Sequence, residues 1–116
     1  MFFALLLAGE HVPGYHEYPQ VNRDGGEGYE VYQLELQDAD LLCEHFVDEI
    51  YTVVGGVLDC GEVDFYSAQQ CARLIPWLQQ ELGNANLQSR LKELYSVLES
   101  MASRAVELNT GIVIEL

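Results

Sequence analysis

The sequence predicts an α+β domain, a small and mainly antiparallel three-stranded sheet packed against three helices in the order β-β-α-α-α-β. Three observations predict it. Apolar runs of strand length open and close the chain. Between residues 38 and 108 apolar side chains recur at spacings of three and four, the period of helices that bury one face. The chain has 116 residues, 49% hydrophobic and 21% charged, which suits a single domain (1–116) with its own core.

Phe2 to Ala8 is continuously apolar, as expected of a strand covered on both faces. The stretch from Gly9 to Gly28 holds five glycines and two prolines, enough breakers to predict a long loop, and loops of that length are often functional. Tyr29 to Leu36 alternates, with Tyr32, Leu34 and Leu36 set to face a core and Gln33 and Glu35 to face water. Asp38 reads as the N-cap of a helix with Leu42, Phe46, Ile50 and Val53 on one stripe and Gly55-Gly56 as its stop. A turn-rich connector (Asp59, Gly61, Glu62, Asp64) follows.

Ser67 with Gln70 three residues on has the form of a capping box. It introduces a helix carrying Cys71, Leu74, Ile75, Leu78 and Leu82. Pro76 lies within that span, where a proline costs about 3 kcal/mol, so a kink or a restart is expected. The last helix shows a sustained heptad stripe, Leu87, Leu91, Leu94, Leu98, Met101, Ala105 and Leu108. The expectation is that it packs on its own sheet, with a coiled-coil seam as the alternative. Asn109-Thr110-Gly111 ends it, and residues 112–116 form the closing strand.

The formal net charge of −14 is the outlying number, against a magnitude of about 2–8 for a typical soluble small domain. The charge is unevenly spread. Residues 1–72 hold fourteen acids and Arg23 as their one base, a net −13, whereas residues 73–116 carry a net −1. Five scattered Lys and Arg residues make no phosphate-binding cluster, so direct binding of nucleic acid and of anionic membranes is excluded. A one-sided acidic field instead accelerates encounter with a basic protein and orients it.

Cys43, Cys60 and Cys71 are odd in number and lack C-x-x-C spacing, so buried free thiols in a reducing cytoplasm are expected. The apolar opening has no basic residues before it and meets Glu10 and His11 too soon for a signal peptide. It reads as a strand, and the protein as cytoplasmic.

Catalytic patterns are not found. His11, His16 and His45 with Glu10 and Glu17 match no zinc spacing, and Asp59-x-x-Glu62-x-Asp64 is not a calcium loop. Cys43 and His45, two apart on a helix, point away from each other. No glycine-rich phosphate loop ending in Lys is present. The expectation is a binding protein rather than an enzyme, with no cofactor and no metal. Tyr15 and Tyr18 offer rigid aromatic anchors, and Glu17, Asp24, Glu27, Asp48, Asp59, Glu62 and Asp64 offer carboxylates for Lys and Arg of a partner.

In size, charge and its combination of tyrosines with carboxylates, the chain resembles small acidic bacterial toxin-immunity proteins. That resemblance implies neutralisation of a basic toxin domain, for example a nuclease, by covering its active or substrate-binding surface. Two other binding readings remain open: a DNA mimic that occupies a nucleic-acid site, and a structural subunit that self-associates through the 87–108 helix. A small metal-dependent hydrolase, the enzyme reading, would need a pocket joining His11 or His16 to carboxylates. A monomer and a homodimer both fit.

Overall fold

The computed structural model describes residues 1–8, 24–26, 28–56 and 58–116. Four strands and four helices are formed among them: β1 Phe2–Leu6, β2 Tyr29–Gln33, α1 Leu36–His45, α2 Val47–Val54, β3 Val63–Ser67, α3 Ala68–Leu82, α4 Ser89–Leu108 and β4 Gly111–Glu115. The sheet is antiparallel throughout in the order β2-β1-β4-β3. The α+β class stands, while the three strands and three helices of the sequence reading become four of each.

The two central strands are the apolar runs from the ends of the chain. Ala4 lies opposite Val113 and Phe3 opposite Ile114, so the first and last elements form the middle of the sheet. Phe3, Leu5, Tyr66, Ile112, Ile114 and Leu116 face the helices and share one core with Leu42, Phe46, Leu74, Leu78, Leu94 and Leu98. The opposite face carries Phe2, Ala4 and Val113, flanked by Val31, Val63 and Phe65. Apolar side chains on both faces explain why β1 and β4 read as unbroken hydrophobic runs.

The added strand is β3. Its residues follow a turn, and Asp64 and Tyr66 point inward while Val63 and Phe65 point outward. Gly111 pairs with Ser67, and a Cβ at Gly111 would stand 2.4 Å from the Tyr66 carbonyl oxygen and 2.6 Å from the Phe65 ring. The backbone atom cannot retreat without breaking the ladder. Gly111→Ala is therefore expected to destabilise the protein by about 1–3 kcal/mol, the usual cost of overpacking, read from a urea unfolding curve.

The helix read from Asp38 to Val53 is two helices that meet at Phe46. Its N–H closes α1 on the Leu42 carbonyl at 2.8 Å, and its own carbonyl opens α2 by accepting from Ile50 at 3.0 Å. The N-cap is Glu35, not Asp38. Asp38 sits at the third helical position, where its carboxylate accepts the Glu35 N–H at 3.0 Å. With β2 ending at Gln33, Leu34 is buried but Leu36 is 66% exposed, contrary to the alternation expected to carry it inward.

The Ser67–Gln70 capping box forms as read, Gln70 N–H donating to Ser67 Oγ and Ser67 N–H to Gln70 Oε1. Pro76 lies inside the single helix α3. Both it and Ala72, the residue whose carbonyl loses a donor, are exposed, so water can satisfy the freed oxygen. The heptad stripe is used within the chain. Leu91, Leu94, Leu98, Met101 and Ala105 are buried in the core, and of the stripe only Leu108 at the C-terminal end is exposed. The stripe is thus used largely in the chain's own core.

Candidate functional site

Helix α2 and the residues after it border an open recess of about 350 Å³ lined by Val47, Asp48, Tyr51, Gly56, Leu58 and Asp59. Helix geometry sets one wall. Asp48 and Tyr51 are three apart and so neighbours on the helix surface, beside the Ile50 and Val54 face that enters the core. Tyr51 is 70% exposed, the most open large apolar side chain among the described residues. Gly55 turns the chain out of α2 with a φ of 73°, a left-handed conformation that suits glycine, while its N–H caps the Tyr51 carbonyl at 2.9 Å.

The other wall is built from the residues before β3. Leu58 is buried and anchors this stretch to the core. Asp59 is exposed and uses one carboxylate oxygen to accept the Cys60 N–H at 2.8 Å. Cys60 is joined by a disulfide to Cys43 of α1, with Cα atoms 5.7 Å apart. The expectation of free buried thiols holds for Cys71 alone, which is buried in the core with its thiol pushed up to about 12 by desolvation. Spacing could not reveal the Cys43–Cys60 pair, because the fold brings together residues 17 positions apart.

Among the described residues, the candidate carboxylates do not form one surface. Asp48 and Asp59 line the same recess, and exposed Glu62 follows Asp59 closely, its N–H donating to the Asp59 carbonyl at 3.1 Å. Asp24 is exposed but precedes β2, whose start lies at the opposite end and opposite edge of the sheet from the start of β3. Asp64 faces inward at 7% exposure, and its Oδ1 accepts the Phe65 N–H, so little of its carboxylate is open to an incoming protein. Tyr15, Glu17, Tyr18 and Glu27 lie outside the described residues, as do His11 and His16 of the hydrolase reading.

Tyr51 is the residue that the sequence reading missed. Its position just off the Leu42–Phe46–Ile50–Val53 stripe was a usable signal, because an aromatic beside a buried stripe is left facing solvent. The acidic character of this flank is extended by Glu44 and Glu49, both exposed. By contrast, Arg90 is held by Asp38 and Glu93, and Arg104 makes two bonds to Glu30. These pairs lie on the α4 side, where they offset local acids.

Among the described residues, no three His, Cys, Asp or Glu side chains converge to hold a metal ion, and no helix is long and apolar enough to cross a membrane. No protein-family model, curated protein or solved structure matches this chain. The chemistry of the recess is therefore read from its own residues. Two carboxylates and an open phenol ring around an apolar floor (Val47, Leu58) suit a long cationic side chain, whose methylenes can lie on the floor while its head meets the acids.

Proposed function

We propose that this chain is an acidic protein-binding module that receives a Lys or Arg side chain of a basic partner in the α2 recess. The observation that carries this reading is the convergence of Asp48, Asp59 and Tyr51 on one recess. The surrounding acids would steer the partner toward the recess, and the recess would fix the orientation of one cationic anchor. The biological role that this reading favours is that of an immunity protein, covering the active or substrate-binding surface of a basic toxin domain. No catalytic step is part of it.

The test is a pull-down from the native lysate at low and at raised salt, with the wild-type chain beside Asp48→Asn/Asp59→Asn. A basic protein retained by the wild type at low salt, released by salt and lost from the variant supports the proposal. The recess is open and its acids solvated, so the lower end of the charge-pair range applies, about 2 kcal/mol or roughly 30-fold in Kd. Identical capture by both chains would remove the recess from the binding surface.

A further inference from the structure

We propose that the Cys43–Cys60 disulfide is a thiol–disulfide exchange site at which a dithiol reductant opens the acidic recess. The exchange itself is independent of any partner, and only its effect on binding rests on the function proposed above. The bridge joins α1, which leads into α2 through Phe46, to the residue that follows Asp59, and so tethers the Asp59 wall of the recess to the helical pair. Cys60 is exposed and Cys43 half-buried, so a reductant meets the Cys60 side of the bridge first.

Among the described residues, the other ties of this stretch include a buried side chain and backbone hydrogen bonds, one of them from the Glu62 N–H to the Asp59 carbonyl at 3.1 Å. Leu58 is buried at one end, and at the other the Leu116 N–H donates to the Glu62 carbonyl at 3.0 Å. Between these anchors Asp59, Cys60 and Gly61 are all exposed. The bridge thus adds a covalent tie from this exposed turn to α1. Cys71 does not compete for it, since that sulfur is fully buried and its thiol is held protonated by desolvation.

The chemistry is a complete two-electron exchange. A thiolate of the dithiol attacks Cys60 Sγ, the Sγ–Sγ bond breaks, and Cys43 leaves as a thiolate that takes a proton from water. The second thiol of the reductant then loses its proton and attacks the mixed disulfide, releasing Cys60 as a thiolate that is protonated in turn. The dithiol ends as a disulfide and the protein as two thiols. Freed of the bridge, residues 58–62 keep the Leu58 anchor and the backbone hydrogen bonds of Glu62 but lose their covalent tether to α1, and the recess loosens.

Hydrogen exchange read by mass spectrometry on the full chain, oxidised and after dithiothreitol without denaturant, tests this, together with alkylation to count thiols. The expected result is alkylation of Cys43 and Cys60 but not Cys71, with protection across residues 47–62 falling about tenfold while α4 and β4 are unchanged. Cys43→Ser/Cys60→Ser should show the reduced pattern without dithiothreitol and give no response to it. Three free thiols in the air-oxidised protein, a bridge that resists native dithiothreitol, or reduction with unchanged protection would each overturn the proposal. The predicted exchange pattern with partner capture indifferent to Asp48 and Asp59 would leave the redox site standing and remove the binding reading. A flat exchange pattern with capture still dependent on those acids would do the reverse.

Discussion

Phe46→Ala is expected to lower the unfolding free energy by about 3–5 kcal/mol, the range for emptying a large aromatic from a core. Phe46 is fully buried where α1 meets α2. Its ring centroid lies 5.8 Å from that of Trp77 and 6.2 Å from that of Tyr95, and the latter two are 5.4 Å apart. Truncation therefore removes buried area and two of the three aromatic contacts, which add about 0.5–1.5 kcal/mol per pair beyond area. Against a total stability of about 5–15 kcal/mol, that loss takes a large share of the margin. Trp77 is the sole tryptophan, so its fluorescence reports on this cluster directly during a urea titration. A loss below about 1 kcal/mol would show that the site collapses onto the missing ring, or that the ring is not packed as described. Because Phe46 also opens α2, its replacement is expected to disturb the Asp48–Tyr51 wall of the recess as well.

The same residue shows why part of the fold was legible and part was not. Leu42, Phe46, Ile50 and Val53 keep helical spacing straight through the junction, so periodicity cannot register a break that contains no glycine or proline. The capping box at Ser67, the stripe of α4 and the apolar runs of β1 and β4 were legible because each depends on residues close in sequence. Strand β3 was not. Asp64 comes shortly after Gly61 and Glu62 and so reads as turn chemistry, yet it enters the sheet with its side chain directed inward. The recess was half legible. Asp48 and Asp59 follow from charge, but their meeting, like the Cys43–Cys60 bridge, is a property of the folded chain. The sequence of carboxylates alone does not distinguish them from Asp24 at the far corner of the sheet or from Asp64 beneath it.

Asp38→Ala is expected to cost about 3 kcal/mol near neutral pH, and the cost is expected to shrink in acid. Asp38 is 4% exposed and accepts two bonds from Arg90, at 2.8 Å from Nε and 2.9 Å from Nη2, besides the Glu35 N–H. Removing one partner of a buried pair costs about 3–5 kcal/mol when the other charge is stranded. Arg90 is 40% exposed and also holds Glu93, so water and that carboxylate receive it and the lower figure applies. The pH dependence follows from linkage. The Arg90 guanidinium, followed by the Glu35 N–H, holds the Asp38 carboxyl below the usual carboxylate range against the opposing effect of burial. A depressed folded-state pKa contributes stability that is fully present above the unfolded value of about 4 and is lost as pH falls through the folded value. In a chain with 19 acidic residues the wild-type curve alone does not isolate Asp38. The difference between wild type and Asp38→Ala does, because the other groups are common to both. That difference should be level above about pH 5 and decline below pH 4. A difference that stays constant down to pH 2 would mean that the pair contributes through packing and α1 capping alone, and that the charge of Asp38 carries none of the link between α1 and α4.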